Sequence, residues 1–193
     1  IEDRSFPKNI KDHKNSAFQK AAQYYLEYVS KLKHEGKIIV DKMPYNFMYI
    51  GMMALVFPGA KIILVERNAL DNCYSIFKQR FGTGNLYSYS LKEVGQYYNL
   101  YSDLKDHWFS VLRNNIYSIN YEDIVKDLVN QSKSLIDYCE LEWEQACLDF
   151  HQTERDVRTA SAVQVRQPIY NSSVGLWKKY EKYLKVYFDK LNT

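Results

Sequence analysis

Apolar positions along this chain follow two spacings. Short runs rich in β-branched residues, Ile38–Val40, Ile62–Val65 and Ile116–Asn120, each give way to charged or polar residues and predict strands. Longer stretches repeat apolar residues every three or four positions and predict helices. These cover Ser16–His34, Asn46–Phe57, Leu91–Leu112, Asp127–Cys139, Trp143–Asp149 and Ser173–Leu191. In the first, Ala17, Ala21, Tyr24, Tyr25, Tyr28, Val29 and Leu32 share one stripe. Gly36 and the Pro58-Gly59 pair punctuate the ends of the first two helices. Phe81–Ser88, with two glycines and an asparagine, reads as a loop, and His151–Ser172 shows little periodicity. A loop of about 20 residues in a compact domain is either functional or disordered. The mixture of specific polar and apolar residues in this one points to function.

A strand at Lys37–Asp41, a crossover helix and a strand at Ile62–Val65 make a βαβ unit. This predicts a parallel pair, adjacent or one strand apart, within an α/β domain. We expect a short parallel sheet of about three to five strands flanked by helices. In such sheets chemistry collects at the carboxyl ends of strands, and two cations stand there: Lys42 after the first run and Arg67 after the second. A helix opens at Asn68, a good N-cap, with Asp71 placed to complete a capping box. A helix N-terminus beside an arginine suits an anion. On spacing alone, Lys42 reads first as an ordinary solvated lysine, and Arg67 also as a surface partner of Glu66 or Asp71. Ser75 reads as a solvated helix residue or, paired with Arg67, as a phosphate donor. Tyr121-Glu122-Asp123 reads as an acidic helix start.

Composition narrows the class. With 193 residues, 46% hydrophobic and 25% charged, the chain is globular and fits a single domain. No apolar run reaches the roughly 18–20 residues that span a bilayer. A formal net charge of +3 is too mild to indicate nucleic acid and is compatible with an anionic small ligand. Cys73, Cys139 and Cys147 lack paired spacing and read as buried thiols of a reducing, cytoplasmic compartment. His13, His34, His107 and His151 are scattered and no CxxC occurs, so no metal site is expected. There is no G-x-S-x-G elbow for a serine hydrolase. The 18 tyrosines read as amphipathic packing surfaces.

Three segments in order carry a family resemblance: DKMP, then FPGAKIILVERNALDNCYS, then TASAVQVRQPIYNSSVGLW. They resemble the core of sulfotransferases that use 3′-phosphoadenosine 5′-phosphosulfate. The likeness is greatest to the bacterial branch often fused to tetratricopeptide repeats, itself similar to tyrosylprotein sulfotransferases. It runs from about Lys37 to about Tyr183. The resemblance implies that Lys42 touches the sulfuryl group in transfer and that Arg67 and Ser75 hold the 3′-phosphate. It implies that Ser161, seven residues before Pro168, is a second stabiliser of the transferring group, and that Tyr121 lies near the adenine. One of Lys178 and Lys179 would approach the 3′-phosphate; otherwise both form the solvated face of the last helix. Arg158 and Arg166 would hold loop carbonyls or phosphates. The implied partners are the nucleotide co-substrate and a hydroxyl acceptor: a protein tyrosine, a sugar or a small alcohol.

The family's 5′-phosphosulfate loop, with a pattern like PRSGTT, has no match here, since none of the seven glycines begins one. In the family that loop, and the acidic residue that serves as general base, precede the helix that here starts near Ser16. Glu2 lacks the context of such a base. The chain therefore reads as the carboxyl-terminal three-quarters of one sulfotransferase domain spanning residues 1–193. The rival reading is a non-catalytic 3′-phosphoadenosine-binding module or an inactive fragment. A P-loop kinase would need a Walker lysine and Mg²⁺ ligands, and neither is visible.

Overall fold

The computed structural model describes residues 6–32, 38–82, 84–113, 115–153 and 164–191. It divides into two compact units, Ile1–Ala60 and Lys61–Thr193.

In the first unit, helix α1 (Asn15–Ser30) packs on helix α2 (Ile50–Val56). α2 is preceded by a 3₁₀ stretch, Pro44–Tyr49, whose first residue is the proline. Proline lacks the N–H that a first turn leaves unused, and its fixed φ suits that position. The strand expected over Lys37–Asp41 does not form: Lys37 lies outside the described residues, and Ile38–Asp41 carries no ladder. Val40 is 85% exposed. A strand is stabilised by its paired backbone, and this segment is tied down through one side chain instead. Asp41 accepts from Tyr25 Oη at 2.8 Å and from Asn46 Nδ2 at 3.2 Å. The Tyr25 ring meets Phe57 edge-on, with centroids 5.3 Å apart.

The second unit is built on a parallel pair, β1 (Ile62–Glu66) and β2 (Ile116–Asn120), so the α/β class expected from the sequence is present. The register runs from Ile62 opposite Ile116 to Glu66 opposite Asn120. The parallel partner of Ile62–Val65 is thus the later run, not Lys37–Asp41. Helices α3 (Ala69–Lys78) and α4 (Leu91–Val111) connect the two strands. Next come α5 (Tyr121–Lys126), α6 (Leu128–Tyr138) and, near the end, α7 (Glu181–Phe188). Expected helix bounds hold to within a residue for Leu91–Leu112 and Asp127–Cys139. Over Trp143–Asp149 only a single 3₁₀ turn, Gln145–Cys147, forms.

The core joins α3, α4 and α7 through Cys73, Val94, Leu184 and Phe188, with Leu70, Tyr98, Trp177 and Leu191 around them. Gly95 permits the close approach of α4 to the chain end. A Cβ there would stand 3.2 Å from the Tyr187 carbonyl oxygen and 3.5 Å from the Phe188 ring. Asn99 Nδ2 donates to the Lys190 carbonyl at 2.9 Å just past α7. The expected helix over Ser173–Leu191 is shortened at its start. Gly175 adopts the left-handed region at φ 70°, and Leu176–Tyr180 is 3₁₀ before α7 begins. A left-handed residue interrupts a right-handed helix, and glycine accepts it without Cβ strain.

Candidate functional site

The register decides what meets at the carboxyl end of the sheet. Because Glu66 lies opposite Asn120, the next residues on the two chains, Arg67 and Tyr121, emerge side by side. The Arg67 guanidinium carbon sits 5.2 Å from the centre of the Tyr121 ring, a cation–π contact. Arg67 Nη2 donates to the Ser173 carbonyl at 2.7 Å. Tyr121 Oη stands 3.1 Å from Ser173 Oγ and donates to the Tyr170 carbonyl at 3.4 Å. Two of the sequence-derived residues, Arg67 and Tyr121, are therefore together, joined by Ser173, which spacing did not single out.

Neither carboxylate beside Arg67 in the sequence neutralises it. Glu66 accepts from Lys105 Nζ at 2.9 Å and from Ser118 Oγ at 2.7 Å, in a largely shielded ion pair. Asp71 is 2% exposed. Its Oδ2 accepts from the Gly175 N–H at 2.6 Å, and its Oδ1 from the Trp177 N–H at 3.0 Å. Among the described residues Arg67 forms no ion pair, and its Nε is buried without a hydrogen-bond partner. A buried N–H of a charged group left unmade costs free energy comparable to a lost hydrogen bond. An oxyanion on that edge would remove the cost.

The start of α3 behaves partly as its sequence predicts. Asn68 caps it, its side chain accepting from the Asp71 N–H at 3.1 Å. The reciprocal half of the box is not made. Asp71 is drawn to the Gly175–Trp177 turn, and the Asn68 N–H donates to Glu122 Oε1 at 3.0 Å instead. Ser75 lies half-buried in the second turn of α3. Lys178 and Lys179 are exposed on the 3₁₀ stretch that follows the Asp71-held turn. Lys42 is exposed in the first compact unit, between the clamped Asp41 and Pro44. Ser161, with Arg158, lies outside the described residues. No group of metal-ligating side chains occurs among the described residues.

Two tyrosines flanking this region titrate high. Burial raises Tyr98, with Cys73, Glu66 and Asp106 adding to the shift; burial also raises Tyr101, with Glu66 next. Both stay protonated at neutral pH. Burial pushes the Cys73 thiol up to about 12, so it is an inert core group.

A parallel sheet with a half-buried arginine at its carboxyl edge, forming no ion pair among the described residues, is an α/β arrangement whose geometry suits a phosphate-like anion. Comparison with known proteins makes the class specific. The chain matches the sulfotransferase family over residues 4–145 and belongs to it. It is 38% identical over 186 residues to an uncharacterised protein of Aquifex aeolicus (strain VF5). The alignment takes in 95% of this chain and 24% of that relative, so the chain spans about a quarter of the relative's length.

Proposed function

We propose that residues 1–193 belong to a sulfotransferase domain that moves a sulfuryl group from 3′-phosphoadenosine 5′-phosphosulfate to a hydroxyl acceptor, with Arg67 holding the 3′-phosphate. The observation that carries this reading is Arg67 itself. It is stacked on Tyr121, tied by Nη2 to Ser173, free of any described ion pair, and left with a buried, unpartnered Nε. A guanidinium offers a phosphate its N–H donors in one fixed plane. Ser75 and one of Lys178 and Lys179 complete the phosphate contacts, and the Tyr121 ring faces the adenosine.

Transfer proceeds in line. The acceptor oxygen attacks sulfur, the bond from sulfur to the 5′-phosphate oxygen breaks with its electron pair, and the acceptor proton passes to a carboxylate. Lys42 and Ser161 support the charge that spreads over the moving oxygens. No metal is required. The acceptor is a hydroxyl, for which a protein tyrosine is the first candidate on the resemblance to the tetratricopeptide-associated and tyrosylprotein branch, ahead of a sugar or small alcohol. Three free thiols suit a cytoplasmic setting.

The test is transfer of labelled sulfuryl to a panel of phenolic and alcoholic acceptors, run with the full-length protein that contains this chain and with its Lys42→Ala variant. Loss of one preorganised charge contact lowers kcat by about 10²–10³. Transfer that survives Lys42→Ala at full rate removes Lys42 from catalysis. Nucleotide binding without transfer to any acceptor would favour a non-catalytic binding module.

A further inference from the structure

We propose that Asp71 is a positioning residue, which fixes the Ser173–Trp177 turn and through it the plane of the Arg67 guanidinium that receives the phosphate; this rests on the reading of Arg67 given above. Asp71 is nearly fully buried yet faces no described cation. Both its oxygens are spent on backbone amides of one turn, those of Gly175 and Trp177. That turn is closed internally by the Val174 N–H donating to the Asn171 carbonyl at 2.9 Å and by the left-handed Gly175. Two residues before Gly175, the Ser173 carbonyl receives Arg67 Nη2, while Ser173 Oγ meets Tyr121 Oη.

Asp71 and Arg67 are four residues apart on one strand-to-helix junction, and they hold the same turn at two points more than a hundred residues downstream. A charged carboxylate binding two amides is a strong, directional anchor. It sets the position of the Ser173 carbonyl, and that carbonyl with the Tyr121 ring sets the guanidinium plane. A buried carboxylate that served only as a helix cap would bond the Asn68 N–H, which Glu122 occupies instead.

Asp71→Asn keeps the volume but sets an amide donor against one backbone N–H. The first readout is the Arg67 Nε–Hε cross-peak in a ¹⁵N NMR spectrum, assigned by its loss in Arg67→Lys. The second is titration of adenosine 3′,5′-bisphosphate and adenosine 5′-monophosphate into wild type and variant. In a folded Asp71→Asn protein the cross-peak should move or broaden. Affinity for the bisphosphate should fall about 10-fold, with that for the monophosphate nearly unchanged. A folded variant with the wild-type cross-peak and wild-type preference overturns the positioning role alone. A wild type that binds both nucleotides equally overturns the phosphate reading and the positioning role with it. Should Asp71→Asn not fold, Gly175→Ala is read the same way. It strains the φ 70° position from the other side of the clamp, and an unchanged cross-peak and preference there is equally decisive.

Discussion

Arg67 shows how a residue's neighbours, more than its type, decide what its charge is for. Glu66 and Asp71 are near enough in sequence to cancel it, but each is engaged elsewhere, by Lys105 with Ser118 and by two backbone amides. What remains is a planar cation fixed on one face and one corner. Lysine cannot reproduce this: it lacks the fork and stacks poorly. Arg67→Lys should therefore lose at least about 10-fold in affinity for a 3′-phosphorylated nucleotide in a protein that still folds. Tyr121→Phe separates ring from hydroxyl. It should keep the nucleotide preference, because the ring under the guanidinium survives. It should cost about 0.5–1.5 kcal/mol of stability for the bond to Ser173, measured by urea denaturation. A Tyr121→Phe protein that loses the preference would move the burden from the ring to the hydroxyl.

At the scale of elements, α4 comes close to the end of α7 at Gly95. Gly95→Ala pushes a methyl to 3.2 Å from the Tyr187 carbonyl oxygen, a backbone atom that cannot swing aside. Overpacking of this kind costs about 1–3 kcal/mol, and a shift in the denaturation midpoint of that size is expected. The same core contains Cys73. Its folded-state value, about 12, lies above its ordinary 9.0 because burial penalises the thiolate. The unfolded chain therefore loses this proton first as pH rises, so the contribution to stability is full below about pH 9 and declines between pH 9 and 12. Cys73→Ala should flatten that part of the stability-versus-pH curve, and Cys73 should resist thiol reagents in the folded chain at pH 8.

Periodicity locates α4, α6 and both strands of the sheet because each turns one face at least partly away from solvent, and that is what an apolar repeat encodes. It erred where order comes from side chains acting across the sequence. Ile38–Val40 has strand-like residues but is held by Asp41, and the chain before α7 is bent by Gly175 and the Asp71 clasp.

For the whole molecule, Arg67 is visible in the sequence because strand ends are legible, Tyr121 enters through the resemblance, and parallel register brings the two together. Ser173 and the true partners of Asp71 were not legible, since their contacts join residues more than a hundred positions apart and leave no local pattern. Lys42 is picked out as a cation at the end of a strand that does not form and, like Ser75, by resemblance, and the roles of both stand as proposals. The chain's formal net charge of +3 is small, so long-range attraction adds little, and a preference for a phosphorylated ligand must come from short-range contacts. It should weaken as salt rises, since a site open to ligand is also open to counterions.

The central claim, that Arg67 marks a 3′-phosphate site, is tested most directly by isothermal titration of adenosine 3′,5′-bisphosphate and adenosine 5′-monophosphate. Both are titrated into the wild-type chain, Arg67→Ala and Arg80→Ala. A charge-assisted contact worth about 1.5–3 kcal/mol corresponds to a preference of about 10- to 150-fold for the bisphosphate. That preference should vanish in Arg67→Ala and persist in Arg80→Ala, which alters an exposed residue past the end of α3. Equal affinities for the two nucleotides in a folded wild-type chain would contradict it.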